Sequence, residues 1–212
     1  MLQKKSIIKI YGDKMLSHGE LVVWNDIIKS CKIIFDVGCR EDNDFYDINP
    51  QANIYLFDPN PVNKLYAKIK DKPNVFFNNV ALGNTTGDLD FYYPYGSFMH
   101  RTEEPKFKHL HKTKKVKMVR LEDFIKEHNI TSIDYLKIDC EGYDFEVIKG
   151  CGNFINSIKY IQFEEFGNFY CNIKSKDIFN YFKGWSIYKI EGSPVNYLVT
   201  KEKLKLELRQ LQ

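Results

Sequence analysis

Five apolar runs set the strongest limit on what this chain can fold into. KIIFDV (32–37), NIYLF (53–57), NVFFNNV (74–80), IDYLKI (133–138) and IKYIQFE (158–164) lack the strict in–out alternation of a one-sided sheet. Such runs suit strands buried on both faces, as in parallel sheets covered by helices. Helical patterns separate them. One covers 61–70, with Pro61 in its first turn, and another 121–128. A third covers 143–150, where Phe145, Val147 and Ile148 recur at helical spacing and Gly150 sits at the stop. This alternation predicts an α/β fold with a mainly parallel sheet.

The flanking elements are less regular. Residues 6–11 read as a short strand, and 18–30 as a helix with Leu21, Trp24, Ile27 and Ile28 on one face. Strands fit 88–93 and 115–120. A helix fits 175–183, and strands 185–190 and 195–200 suit an antiparallel hairpin at one edge. The tail after 201 reads as a charged helix. We expect one domain over 1–212: an N-terminal strand/helix extension over 1–31, a core over 32–200 and a helical tail over 201–212. A chain of 212 residues is long enough for a full core. The formal net charge of +3 favours no nucleic-acid partner by itself. Cys31, Cys39, Cys140, Cys151 and Cys171 show no framework spacing and read as reduced core thiols. No stretch approaches the roughly 20 apolar residues of a membrane span, and the N-terminus lacks an apolar signal core. A cytoplasmic protein with no membrane partner is expected.

In open α/β sheets a ligand sits outside the carboxyl ends of the strands. Those ends are polar here. The first reads FDVGCRED, with Asp36 two residues before Gly38, where a backbone can approach a ligand closely. The second reads LFDPNP, with Asp58 placed to accept hydrogen bonds from ribose hydroxyls. The third, FNNVALGN, passes from polar to small residues and suits the rim of an adenine pocket. The fourth reads LKIDCEG and carries Lys137, Asp139 and Glu141. GxGxxG is absent. Glu41, Asp42 and Asp44 would repel a pyrophosphate, so a ligand with a ribose and a positive charge but no phosphate fits better. S-adenosylmethionine (SAM) has those features.

FDVG, LFDPNP, NVALGN, RLEDFI, LKIDCEGYDFEVIKG and IQFEE, spread over 33–166, resemble the FkbM-type SAM-dependent methyltransferases. The resemblance implies a class I methyltransferase fold, Rossmann-like, with helices on both faces of a seven-stranded mostly parallel sheet of order 3-2-1-4-5-7-6. It implies methyl transfer to hydroxyls, often on sugars or polyketides. Carried over by position, Asp36 and Gly38 line the methionine end of the cofactor and Asp58 holds the ribose. Asn79, Val80 and Ala81 border the adenine, and Asp139 sits beside the reactive methyl. This chain departs from the family in its first turn, DVGCRED, where the family pattern is richer in glycine, and in a short first crossover containing Asn49-Pro50.

Transfer to a hydroxyl needs alignment and removal of one proton. Asp139 is the first candidate base, with Glu141 and His100 as others. Glu141 equally suits a cap of the following helix. Asp144 and Glu146 read as that helix's solvated face, and Lys137 as either an ion-pair partner or a substrate contact. Asp139, Glu164 and Glu165 could supply oxygen ligands to Mg²⁺, although a metal-free site is the first reading. Tyr92, Tyr93, Tyr95 and Phe98, with His100 and Arg101, suit a sugar acceptor, while Phe91 and Tyr93 also suit an ordinary packed hairpin. His109 and His111 read as solvated loop residues, and His18 and His128 as structural or exposed. The lysines of 106–120 could serve an RNA substrate, or only solvate a loop and a sheet edge, which we favour. A SAM-binding domain without chemistry is a further alternative, and action alongside or fused to glycosyltransferases fits the sugar reading.

Overall fold

The computed structural model describes residues 9–11, 14–16, 23, 25–41, 44–60, 63–93, 98–99, 112–165, 175–190, 195–204 and 209–210. In chain order these form β1 (Lys9–Tyr11), β2 (Lys14–Leu16), β3 (Ile33–Val37), α1 (Asp44–Ile48), β4 (Asn53–Phe57), α2 (Asn63–Ile69) and β5 (Val75–Asn78). Then come β6 (Ala81–Gly83), β7 (Gly87–Tyr93), β8 (Phe98–Met99), β9 (Lys112–Arg120), α3 (Leu121–Glu127), β10 (Ile133–Ile138), α4 (Asp144–Gly150) and β11 (Ile158–Glu165). The last are α5 (Ser175–Tyr181), β12 (Ser186–Ile190), β13 (Val195–Thr200) and β14 (Arg209–Gln210).

The main sheet has eight strands in the order β14-β12-β13-β11-β10-β3-β4-β5. Strands β5, β4, β3, β10 and β11 run parallel, and β13, β12 and β14 add antiparallel pairings at one side. The expected sheet is met in part: numbered within the main sheet, β5-β4-β3-β10-β11-β13-β12 is the order 3-2-1-4-5-7-6, and two features lie outside it. Four strands between β5 and β10 leave the main sheet and form their own, β6-β9-β7-β8. The tail adds an eighth strand, because Lys189 and Tyr188 of β12 pair with Arg209 and Gln210. At Arg209–Gln210 the expected helical tail is instead this sheet edge. The antiparallel hairpin of β12 and β13 forms as predicted.

The uninterrupted apolar runs have the expected cause. Successive strand residues point to opposite faces, and each face meets its own apolar layer. Phe35, Val37, Leu136, Ile138, Ile161 and Phe163 join Phe124, Val147 and Ile148 from α3 and α4. Ile34, Ile54, Leu56 and Tyr135 join Ile27, Ile28, Phe45 and Leu65 on the other side. The first crossover helix, α1, is a short element of five residues. Of the predicted 18–30 helix the described part ends in a 3₁₀ turn at Ile28–Ser30, with Val23, Ile27 and Ile28 buried. The closing glycine of α4 has a packing reason: a Cβ at Gly150 would lie 1.9 Å from the Gly83 carbonyl oxygen of β6.

Candidate functional site

Parallel neighbours β10, β3 and β4 end level with one another, in the registers Ile138↔Val37 and Val37↔Phe57. The chain then turns sharply. Gly38 takes φ +84°, and a Cβ there would lie 2.0 Å from the Asp139 carbonyl oxygen. Only glycine lets these two strand ends approach so closely. The Gly38 N–H donates to Phe57 O at 2.9 Å, and the Asp139 N–H to Val37 O at 2.9 Å.

Asp58 follows β4 and is only 2 % exposed. Its Oδ2 accepts the Arg40 N–H at 3.0 Å and its Oδ1 the Asn60 N–H at 2.8 Å. Burial raises its proton affinity, opposed by those same N–H donors and the Arg40 charge. A carboxylate offers about four acceptor positions, so capacity for further donors remains. The third strand end is tied to the second by Asn79, whose Nδ2 donates to Asp58 O and Asn60 O, both at 2.9 Å. Val80 is half-buried and Ala81 buried beside it.

Four charged residues gather where β3, β10 and β11 end. Lys137 Nζ lies 3.5 Å from Asp36 Oδ1 and 3.4 Å from Asp139 Oδ2. Burial works against the ammonium, but the Asp36 and Asp139 carboxylates together lift its pKa above the ordinary lysine value. Lys137 is thus an ion-pair partner of both acids. Asp139 is the most open of the set, with 34 % of its side chain exposed. Glu164 comes next to it from β11 and is 7 % exposed. Burial first, then the Asp139 and Asp144 charges and a side-chain hydrogen bond with Asp139, raise its pKa from 4.5 to about 8. Its Oε1 is a buried oxygen without a hydrogen-bond partner. Its proton affinity was not legible in IQFEE, because it arises from residues on other strands.

Two expectations are corrected here. Asp144 is not on a solvated face: it is 3 % exposed, and burial raises its pKa to about 6. Its Oδ2 accepts the Cys140 N–H at 3.1 Å and its Oδ1 the Glu164 N–H at 3.0 Å. Glu141 does not cap α4. It takes φ +53° and pairs with Arg40, itself at φ +51°. Sequence offered no signal for this pair, which crosses from one strand-end turn to another. Glu146 pairs with Lys149 at 2.5 Å.

Among the described residues no group of three or more His, Cys, Asp or Glu side chains is arranged to hold a metal ion. Of the Asp139, Glu164 and Glu165 set, the Glu165 side chain lies outside the described residues. His100, Arg101, His18, His109, His111, Tyr95, Cys171, and the side chains of Tyr92, Tyr93 and Phe98, also lie outside the described residues. Phe91 is fully buried, as the packed-hairpin reading expects. His128 stacks on Phe124 and bonds its carbonyl at 2.9 Å, a structural role. In the basic segment Lys115 pairs with Asp90 at 2.7 Å and Lys117 with Asp88 at 3.7 Å. Cys31, Cys39, Cys140 and Cys151 are buried free thiols. No helix among the described residues is long and apolar enough to cross a membrane.

The chain is similar to known proteins. A curated relative, the 2-O-methyltransferase NoeI of Sinorhizobium fredii, is 25 % identical over 156 residues, covering 62 % of each chain. The chain thus spans about three-fifths of that relative's length. The crystal structure of Methyltransferase FkbM from Methylobacillus flagellatus KT superposes with a TM-score of 0.53 at 12 % identity, covering 79 % of this chain and 43 % of that one. Fibrillarin from Aeropyrum pernix, solved with natively bound S-adenosyl-L-methionine, superposes with a TM-score of 0.52 at 12 % identity over 93 % of this chain and 83 % of its own. At these identities the two likenesses establish the methyltransferase fold. The profile of the Methyltransferase FkbM domain matches residues 36–185, the stretch that holds every strand end described above, and the chain belongs to that family.

Proposed function

We propose that this chain is a SAM-dependent O-methyltransferase whose acceptor is a hydroxyl of a sugar, glycan or glycoside. The observation that carries the reading is the convergence of Asp36, Lys137, Asp139 and Glu164 at one end of the parallel sheet, with Asp58 on the neighbouring strand end. Family membership supports methyl transfer, and the name of the 2-O-methyltransferase relative supports oxygen as the acceptor atom. The fibrillarin complex supports SAM as the cofactor.

The residues present fit that cofactor. The Gly38 turn leaves no room for a side chain, Asp58 keeps acceptor capacity, and Glu164 Oε1 is a buried polar atom without a partner. In this reading Asp58 holds the ribose hydroxyls, and Asn79, Val80 and Ala81 border the adenine. Asp36 and Gly38 line the methionine end. When bound, SAM supplies an electrophilic methyl group. Asp139 takes the proton of the acceptor hydroxyl. Lys137 fixes its carboxylate, and Glu164, proton-bound at neutral pH, stands beside it. Asp139 is open enough to meet an acceptor, whereas Asp36, Glu164 and Asp144 are buried. Glu141 is instead paired with Arg40. Cytoplasmic location and action alongside glycosyltransferases accompany this proposal.

The RNA reading is disfavoured by Asp88 and Asp90, which pair with two lysines of the basic strand. Incubation with labelled SAM and separate glycan and RNA pools tests the choice. Label in glycans and not in RNA is expected. Label confined to RNA overturns the sugar reading, and SAM binding without transfer to any hydroxyl acceptor would support a binding domain instead.

A further inference from the structure

The β10–β11 ladder has its last rung at Ile138↔Phe163. One residue further the two strands part. The Asp139 N–H turns to Val37 O on β3, at 2.9 Å. Glu164 is paired with Asn196 on β13, on the opposite side. Asp139 and Glu164 therefore stand on the two lips of a split, each held by a different neighbour. A split between parallel strands leaves backbone N–H groups that need acceptors. One side chain provides them: Asp144 takes the Cys140 N–H on one lip and the Glu164 N–H on the other. It does so while buried, at a cost in desolvation that its donors only partly offset. Tyr143, the residue at the N-cap of α4, makes no side-chain capping bond.

We propose that Asp144 is a positioning residue that spans the two lips and sets the separation of Asp139 and Glu164. The proposal rests on the methyltransferase reading for its catalytic consequence, but not for the clamp itself. A carboxylate suits the task because both of its oxygens accept. Asparagine would turn an NH₂ toward one of the two N–H donors and release that lip.

The full chain with Asp144→Asn and Asp144→Glu tests this by two readouts. The first is amide hydrogen exchange at Cys140 and Glu164 in the ligand-free protein. Faster exchange at one or both amides is expected in Asp144→Asn, with Asp144→Glu close to wild type because it keeps two acceptor oxygens. The second is steady-state methyl transfer with SAM affinity measured separately. Asp144→Asn should bind SAM within about threefold of wild type yet lose about tenfold to 100-fold in kcat, the range expected when reacting groups shift by about 1 Å. Asp144→Glu should recover most of that loss. Unchanged exchange and unchanged kcat in Asp144→Asn would overturn the proposal. So would a kcat loss that only follows a fall in folded fraction, or a Glu variant no better than Asn. If Asp144→Asn does not fold, the Glu variant decides through the same readouts. Failure of wild type to bind SAM would instead remove the methyltransferase reading, and the exchange result would still judge the clamp.

Discussion

Replacing Glu164 with glutamine should flatten the alkaline side of the protein's pH–stability curve. Glu164 is buried beside Asp139, and its pKa is raised from 4.5 to about 8. Folding therefore favours its protonated form. The stability this contributes is fully present below pH 4.5 and is lost as pH rises through about 8. One tenfold change in proton affinity corresponds to about 1.36 kcal/mol, so the difference between 8 and 4.5 sets a ceiling of about 5 kcal/mol. Relaxation and water entry around a buried acid reduce this, and we expect on the order of 2 kcal/mol. Glutamine imitates the protonated acid in shape and donates a comparable hydrogen bond, but cannot ionise. Urea unfolding at pH 5, 7 and 9 reads the outcome. The variant should match wild type at pH 5 and exceed it at pH 9. Asp144, raised from 3.8 to about 6, gives both proteins the same decline at lower pH and serves as an internal reference. Parallel curves for the two proteins from pH 5 to 9 would refute the reasoning.

Asp139→Asn should leave folding and SAM affinity close to wild type while cutting methyl transfer by about 100-fold; turnover with the glycan acceptor beside titration calorimetry checks this. Asp58→Asn should weaken SAM binding by at least about 1.5 kcal/mol, the scale of one hydrogen bond to a charged group; calorimetry on a variant with unchanged melting temperature is the measurement. Gly38→Ala should cost about 2–3 kcal/mol in urea unfolding, since its Cβ would meet the Asp139 carbonyl at 2.0 Å in a left-handed turn at φ +84°. Lys137→Met should cost about 2–3 kcal/mol, because Asp36 and Asp139 lose their shared cation in a mostly buried setting. A second change, Asp36→Asn, should restore part of that loss in thermal unfolding.

Much of this protein was legible in its sequence. Four of the five apolar runs became strands buried on both faces, the edge run at Val75–Asn78 staying partly open, and KIDCEG falls at a strand end, because periodicity and side-chain polarity are encoded within a few residues. Gly38 and Asp58 could be singled out for the same reason: a turn that demands glycine and an acid at a strand's end are local facts. Other features belong to the tertiary structure. Lys137 meets Asp36 from 101 positions away. Arg40 meets Glu141 across the same gap. Asp144 looked like surface because its helix pattern allowed it, yet it fills a split between two strands. The departure of β6 to β9 into a separate sheet, and the pairing of the tail as a strand, likewise follow from which edges meet. Such contacts depend on register and on the faces the folded chain brings together. The proton affinities of Glu164 and Asp144 arise from burial and neighbouring charge, and neither exists until the sheet has closed around them.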